Sequence, residues 1–272
     1  MKVYISADIE GVAGVVAVDQ TRTGNGEHER CRRLMTEEVN AAIEGALAGG
    51  ATEVLVNDSH GSMTNLLPDL LHPKARLLQG RPKPFNMFAG LDDDHRVVFC
   101  TGYHAGVGQF GVLAHTTSSA AFRRIEINGM AMSEATLYGA YAGERGVPIG
   151  LISGDDQCAD QHRTLFPQAE LVTVKRSLGN RAADSLSPAA ARQKLAAAAE
   201  RVMRRLDDLT PFVIAKPRRL VIEMNTVVQA DLAATIPVAE RLDATRLRFQ
   251  IKSAGEAVRW VNTLSALAAS LG

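Results

Sequence analysis

The alternation of short apolar strands with amphipathic helices constrains the fold of this chain most. Four apolar segments rich in β-branched residues each precede polar or glycine-rich sequence: residues 2–7, 53–57, 96–101 and 148–153. Helical spacing lies between or beside them at residues 29–47, 63–71 and 133–144. Buried strands that alternate with helices predict an α/β fold with a doubly wound, mainly parallel sheet.

A second pattern follows in the later part of the chain. Residues 121–127 alternate in polarity and run into the turn dipeptide Asn128-Gly129, which predicts a strand at or near a sheet edge. Beyond about residue 170, Ser187 and Pro188 begin an alanine-rich helix that extends to about residue 206. Strands at 219–224 and 247–252 and a helix at 254–267 then complete a smaller C-terminal α+β domain. We therefore predict two domains, 1–170 and 171–272.

Composition excludes several classes of function. The 272 residues include 30 basic and 30 acidic side chains, and the basic residues are scattered, so a nucleic-acid partner is not expected. The three cysteines, Cys31, Cys100 and Cys158, show no Cys-x-x-Cys spacing, which indicates a reducing compartment. No apolar run approaches the roughly 18 residues of a membrane span, and the amino terminus lacks the apolar core of a signal peptide. The expected location is the cytoplasm.

Carboxylates and histidines follow three of the predicted strands. Asp8 and Glu10 follow the first strand, His60 the second, and His104 the strand at 96–101. In open α/β sheets the carboxyl ends of the strands form the ligand-binding edge, so these four side chains are expected at one rim. Carboxylates with neutral imidazoles are ligands for zinc or a similar divalent ion, and there are enough of them for two ions that share a carboxylate. Ordinary surface acidity is the alternative for Asp8 and Glu10.

Other polar residues leave several interpretations open. His115 is a candidate fourth ligand, a general base or a plain loop histidine. Glu134, at the start of a predicted helix, is explained by the helix dipole alone. Asp155 and Asp156 are better explained as a helix cap and a first-turn carboxylate than as a further rim site. The remaining histidines are interpreted as solvated or structural: His28, His72, His95 and His162. The sequence contains neither a phosphate-binding loop nor a Gly-x-Ser-x-Gly nucleophile elbow.

Several motifs, in matching order and spacing, resemble one known family. They are Ser6-Ala7-Asp8-Ile9-Glu10-Gly11, Val56-Asn57-Asp58-Ser59-His60, Lys83-Pro84-Phe85, Gly102-Tyr103-His104-Ala105, Gly111-Val112-Leu113-Ala114-His115, Glu134, Gly154-Asp155-Asp156 and Ser187-Pro188-Ala189. The pattern is similar to that of the zinc-dependent D-aminopeptidases encoded with bacterial dipeptide-transport genes, the DppA-like peptidases. The resemblance extends from residue 1 into the last hundred residues.

The resemblance implies a set of roles for these residues. It implies two zinc ions per subunit, with Asp8 bridging them, Glu10 and His60 completing one site, and His104 and Glu134 completing the other. His115 would be the catalytic residue, as a general acid/base or a nucleophile, and residues 1–170 would form the catalytic domain. One local departure is Ser133, where the family often has glycine, and this change removes no ligand.

The implied activity is removal of an N-terminal residue, in particular a D-amino acid such as D-Ala, from short peptides. Family members are also similar in forming a homodecamer of two pentameric rings around a chamber that admits short peptides. An L-selective aminopeptidase, or a binuclear metallohydrolase of another amide or ester, would fit the same ligands. A phosphoester enzyme would be expected to carry cationic groups at the rim, and none lies directly beside the five ligands in the sequence. A non-catalytic peptide-binding protein could dispense with part of the ligand set, which is complete here.

Overall fold

The computed structural model describes residues 1–271. Its strands are β1 (Lys2–Ala7), β2 (Glu53–Asp58), β3 (Ala75–Leu78), β4 (His95–Thr101), β5 (Phe122–Ile127), β6 (Met130–Ala131), β7 (Ile149–Asp155), β8 (Glu170–Gly179), β9 (Ala182–Ser185), β10 (Arg218–Met224), β11 (Glu240–Arg241) and β12 (Arg246–Ile251). Its α-helices are α1 (Gly26–Ala48), α2 (Glu134–Gly143), α3 (Asp156–His162), α4 (Pro188–Arg204), α5 (Val227–Ala234) and α6 (Ala254–Ala269).

Seven strands form the larger sheet in the order β3-β2-β1-β4-β7-β8-β9. Every neighbouring pair in it is parallel except β8 and β9. Side chains alternate between its faces, so Val3 and Ile5 belong to one apolar cluster and Tyr4 to the other. Because β1 lies between β2 and β4, the chain segments that leave these three strands begin side by side.

The smaller sheet is antiparallel, with the order β11-β12-β10-β5-β6. Asn128 and Gly129 join β5 to β6 with φ angles of 54° and 82°, which suit a tight hairpin turn between antiparallel strands. The strand predicted before this turn is therefore confirmed, and it lies one strand from the edge.

Helices cover both faces of the larger sheet. α1 and α4 pack together on one face, whereas α2 packs against β7 and α6 on the other. α6 also contacts β12, so a continuous apolar core joins the two sheets. The predicted mainly parallel α/β fold with a second α+β unit is confirmed.

The division at residue 170 stays a prediction, although segments on each side of it contribute to the other sheet. The hairpin of β5 and β6 precedes that residue yet belongs to the smaller sheet. β8 and β9 follow it and complete the larger one.

The alanine-rich helix begins as predicted, because the Ser187 side chain accepts a hydrogen bond from the Ala190 amide and Pro188 occupies the first turn. The helix predicted at residues 63–71 is wrong. There the Asp58 carboxylate accepts hydrogen bonds from the backbone amides of Asn65 and Leu66, and only a short 3₁₀ turn forms at Pro68–Leu70. A buried carboxylate from the neighbouring strand thus takes the amide donors that a helix needs.

The sequence patterns did not predict β3, β6, β8, β9, β11 or α5. β8 includes charged residues such as Lys175 within a buried strand, which weakens the apolar signal on which strand prediction depends. No helix within residues 1–271 combines the length and apolar character that crossing a membrane requires.

Candidate metal centre

The site lies where β1, β2 and β4 end. The Asp8 amide donates to the Thr101 carbonyl at 2.8 Å, and the Ser59 amide donates to the Ala7 carbonyl at 2.8 Å. Strand pairing therefore continues to the residues that leave the sheet. The chain passes from β1 to β2 on one side of β1 and later reaches β4 on the other side. Such a reversal of strand order creates the crevice, at the carboxyl ends of the strands, in which α/β sheets bind ligands.

Asp8 occupies the centre of the cluster, with one carboxylate oxygen directed to each of two histidines. Its Oδ1 lies 3.1 Å from His60 Nδ1, and its Oδ2 lies 3.5 Å from His104 Nε2. Asp8 is buried, and its two oxygens face two separate halves of the site.

A second carboxylate completes each half. Glu10 Oε2 lies 3.0 Å from His60 Nδ1, and Glu134 Oε2 lies 3.2 Å from His104 Nε2. Within the set Asp8, Glu10 and His104, the candidate ligand atoms all lie within 4.8 Å of one another. The structure thus brings together all five residues that the sequence analysis proposed as ligands.

His115 lies beside the Glu134 half of the cluster. Its Nε2 is 3.7 Å from Glu134 Oε1, and its ring stacks on that of His104 with centroids 4.2 Å apart. Its Nδ1 donates to the Leu113 carbonyl at 3.0 Å, which leaves Nε2 free in the neutral form. The side chain is 20% exposed and lines a cavity of about 550 Å³ that also reaches Glu10 and His60.

Three candidate ligand atoms are buried without a hydrogen-bond partner: Glu10 Oε2, His104 Nε2 and Glu134 Oε2. The other ring nitrogens of the two histidines are satisfied, because His60 Nε2 donates to the Thr21 carbonyl at 2.8 Å and His104 Nδ1 donates to the Ala105 carbonyl at 2.9 Å. Such carbonyl contacts fix the ring and direct the opposite nitrogen to a metal. Buried polar atoms without partners are rare, so the donor set fits divalent metal ions.

The carboxylates of the cluster also favour positive charge between them. Burial by itself would raise the pKa of Asp8, but the neighbouring His104 and His60 rings hold that pKa well below its usual range. Burial would likewise lower the pKa of both histidines, yet Glu10 beside His60 and Glu134 beside His104 raise these pKa values well above normal. The carboxylates therefore hold either protons on the histidines or the metal cations that replace them.

Close backbone packing positions Asp8. Gly102 has a φ of +69°, and a Cβ atom at this position would lie 2.1 Å from the Asp8 carbonyl oxygen. Only glycine allows the loop after β4 to approach the loop after β1 so closely.

Lys175, which the sequence analysis did not consider, holds the loop that carries Glu10. Its buried ammonium donates to the carbonyls of Glu10, Val12 and Val15 at 2.5, 3.0 and 2.5 Å. Burial lowers the pKa of Lys175 to about 8. No sequence motif signals this residue, because it lies more than 150 positions along the chain from the loop it supports.

Glu134 is directed into the site by the start of α2. The Ser133 side chain caps this helix by accepting from the Thr136 amide, and Glu134 occupies the first turn. Its Oε1 accepts a hydrogen bond from the Thr117 amide at 2.6 Å, which holds the carboxylate toward His104 rather than toward its own helix. The helix-dipole explanation is therefore incomplete for this residue.

The acidic pair after β7 lies outside the cluster. The Asp155 side chain caps α3 through the Cys158 amide and also accepts from the Val112 amide at 2.6 Å. Asp156 accepts from the Ser177 amide at 2.7 Å. The interpretation of these two residues as a cap and a first-turn carboxylate is confirmed, and through Val112 the cap also anchors the loop that carries His115.

The remaining histidines do not join the cluster. His28 and His162 are buried, the first in a hydrogen bond with Asn65 and the second in a hydrogen bond with Ser133. His95 is buried at the start of β4. The cavity does have a cationic lining that the sequence analysis missed, since Arg22, Arg81 and Arg181 all line it. These arginines are distant in sequence from the candidate ligands, so position along the chain gave no signal.

The chain has a mainly parallel α/β sheet, and buried carboxylates and histidines lie at its ligand-binding edge beside a cavity. These features define a candidate metallohydrolase. Comparison with known proteins identifies the family. The family model of the M55 peptidases, described as D-aminopeptidase, matches residues 1–263 of the sequence. The chain belongs to this D-aminopeptidase family, and the predicted class of enzyme, a peptide hydrolase, is confirmed.

A sequence match and a structural match support the assignment. A D-aminopeptidase of Bacillus subtilis (strain 168) is 36% identical over 269 residues, which cover 98% of each chain. The solved structure of the Zn-dependent D-aminopeptidase DppA from Bacillus subtilis, described as a self-compartmentalizing protease, superposes with a TM-score of 0.95 at 35% identity. That match covers 99% of this chain and 98% of the other. The similarity supports zinc as the metal of the present chain.

Proposed function

We propose that this chain is a zinc-dependent aminopeptidase that removes an N-terminal D-residue, such as D-Ala, from short peptides at a site for two zinc ions. The observation that carries the proposal is the two-part cluster around Asp8, in which three buried candidate ligand atoms have no hydrogen-bond partner: Glu10 Oε2, His104 Nε2 and Glu134 Oε2. Membership of the D-aminopeptidase family supports the reaction.

The two halves of the cluster suggest how the metal ligands divide. Asp8, Glu10 and His60 would hold one ion, and Asp8, His104 and Glu134 would hold the other. Bound zinc supplies a Lewis acid that polarises the peptide carbonyl and makes water acidic enough to act as a nucleophile near neutral pH. With three carboxylates and neutral histidines, the ligand set leaves one net positive charge when two ions are bound.

His115 is proposed to move the proton during peptide cleavage. Its Nδ1 is occupied by the Leu113 carbonyl, so Nε2 is the atom that accepts a proton and later gives it to the leaving amine. Glu134 Oε1 lies 3.7 Å from that nitrogen. The partly exposed position at the cavity gives His115 access to substrate.

The cavity favours short peptides, because a volume of about 550 Å³ is within the range of small-molecule sites. Since the Bacillus DppA is described as self-compartmentalizing, we further propose that this chain forms a ring assembly that encloses its active sites. A homodecamer of two pentameric rings remains a prediction from the resemblance, and a cytoplasmic location remains a prediction from the sequence.

The first experiment measures release of the N-terminal residue from matched D-Ala and L-Ala peptides by zinc-loaded protein, beside a chelated sample. Cleavage of the D-peptide that chelation abolishes supports the proposal. Preferential cleavage of the L-peptide refutes the D-selectivity but retains the mechanism. Protein that holds about two zinc ions per chain and cleaves neither peptide would contradict the aminopeptidase function.

Replacing His115 with alanine separates the catalytic role from ligation. Because Nε2 is proposed to transfer a proton, His115→Ala is expected to keep the zinc content and lower kcat by roughly 10²–10⁴-fold. The matched control is His72→Ala, a histidine outside the cluster, which should change neither quantity. Loss of zinc from His115→Ala would show that His115 is a ligand.

A further inference from the structure

Three arginines line the cavity that leads to the candidate metal centre. Arg22 follows the short helical turn before α1, Arg81 follows β3, and Arg181 lies at the tip of the hairpin between β8 and β9. All three side chains are exposed. Three unrelated loops therefore deliver the same cationic group to one cavity.

The backbones next to these arginines are held in place. Arg22 follows Thr21, whose carbonyl accepts the hydrogen bond from His60. Arg81 follows Gly80, whose amide donates to the Met63 carbonyl at 2.6 Å.

The hairpin that carries Arg181 is anchored to the loop of His115. The Leu113 amide donates to the Asn180 carbonyl at 2.9 Å, and the Asn180 side chain donates to the Gly111 carbonyl at 3.3 Å. The arginines thus extend from fixed positions with exposed side chains, an arrangement that suits capture of a ligand more than support of the fold.

Within residues 1–271 none of the three arginines forms an ion pair or a side-chain hydrogen bond. Other arginines of this chain do, as between Arg145 and Asp93 or between Arg201 and Glu170. Among the described residues that line the cavity, Glu10 is the only carboxylate, and it belongs to the candidate metal centre. The outer cavity consequently has an excess of positive charge that no other described lining residue neutralises.

We propose that Arg22, Arg81 and Arg181 bind the C-terminal carboxylate of the short peptide whose N-terminal residue is removed. This inference rests on the proposed function, which places the amino end of the peptide at the metal centre. A short peptide must then direct its carboxylate into the outer cavity, where the planar guanidinium groups offer paired N–H donors that match it. The same groups make the cavity selective for free peptides over chains whose C-terminus is amidated or extended.

The test compares D-Ala-D-Ala with its C-terminal amide, in which a neutral carboxamide replaces the charged carboxylate. Zinc-loaded wild-type protein is expected to favour the acid in kcat/KM by roughly tenfold or more, because a charge-assisted contact changes binding by about ten- to hundredfold. The combined variant Arg22→Gln, Arg81→Gln, Arg181→Gln should lose this preference through a higher KM for the acid. Its kcat/KM for the amide should fall much less than its kcat/KM for the acid. Arg33→Gln, which removes a charge outside the cavity, should keep the wild-type preference.

Equilibrium binding separates this inference from the proposed function. In the His115→Ala background, where turnover is slowed by roughly 10²–10⁴-fold, calorimetry of the same two peptides measures binding, and the acid should bind more tightly only when the arginines are present. If the wild-type protein hydrolyses neither peptide but binds the acid more tightly through the arginines, the carboxylate site is supported and the aminopeptidase function is refuted. Three outcomes would each overturn the inference. The wild type could show the same kcat/KM for acid and amide, the combined variant could keep the preference for the acid, or the combined variant could lose kcat/KM equally with both peptides.

Discussion

Gly102 is the position where a single methyl group should damage the candidate metal centre. An alanine Cβ would lie 2.1 Å from the Asp8 carbonyl oxygen and 3.0 Å from Val12 Cγ2, so the backbone of one loop must retreat by roughly 1 Å. The φ of +69° adds about 1–2 kcal/mol of strain for any L-residue with a side chain. Metal ligands tolerate displacements of only about 0.2 Å.

Gly102→Ala is therefore expected to weaken zinc binding by roughly ten- to hundredfold, the scale seen when the support of a ligand is removed. We also expect it to destabilise the zinc-free protein by about 3 kcal/mol in total, which lowers Tm by roughly 6–12 °C for a chain of this size. Competition with a chromophoric chelator measures zinc affinity, and thermal unfolding of the zinc-free protein measures stability.

Gly108→Ala is the matched control. Gly108 also has a positive φ, +80°, but no atom lies within 4 Å of the place that an alanine Cβ would occupy, so this substitution introduces backbone strain alone. It should lower Tm by roughly 2–8 °C and leave zinc affinity unchanged. Gly102→Ala protein with wild-type zinc affinity, or with the same Tm as Gly108→Ala, would refute the argument that this contact positions Asp8.

Two further predictions concern charge at the site. Because carboxylates raise the pKa values of His60 and His104 in the zinc-free protein, zinc should displace up to about two protons per chain at pH 7 and should bind more weakly as the pH falls. Calorimetry in buffers of different ionisation enthalpy measures this release, and its absence would contradict the assigned ligands. Lys175→Met leaves three buried carbonyls without a donor and should cost about 2–4 kcal/mol of unfolding free energy, since relief from burying the ammonium offsets part of the loss. Denaturant unfolding tests it beside Lys194→Met, an exposed lysine with one carbonyl contact, and equal stability of the two variants would show that the Lys175 contacts contribute little.

Patterns in the sequence were informative where strands lead directly into the site. Asp8, Glu10, His60 and His104 follow strands whose apolar runs are unambiguous, and a parallel sheet brings the ends of neighbouring strands together. The resemblance to the D-aminopeptidases added Glu134 and His115. The ligand and catalytic roles of these residues stay predictions, although the structure places all six side chains in one cluster.

Local patterns were misleading where a distant group decides the conformation. Residues 63–71 have helical spacing, but the Asp58 carboxylate takes the amides of Asn65 and Leu66. Glu134 has a sufficient local explanation as a first-turn carboxylate, yet the Thr117 amide holds it toward His104. Neither contact can be read from neighbours along the chain.

Local sequence patterns are enough to establish the alternation of strands and helices, and with it the sheet edge at which carboxylates and histidines lie. This follows because hydrophobic periodicity and helix caps act over a few residues. Packing of the folded chain establishes which oxygen of Asp8 faces which histidine, that Lys175 holds the loop of Glu10, and that three arginines line one cavity. These features depend on contacts between segments far apart in the chain, whose distances are fixed when the core packs.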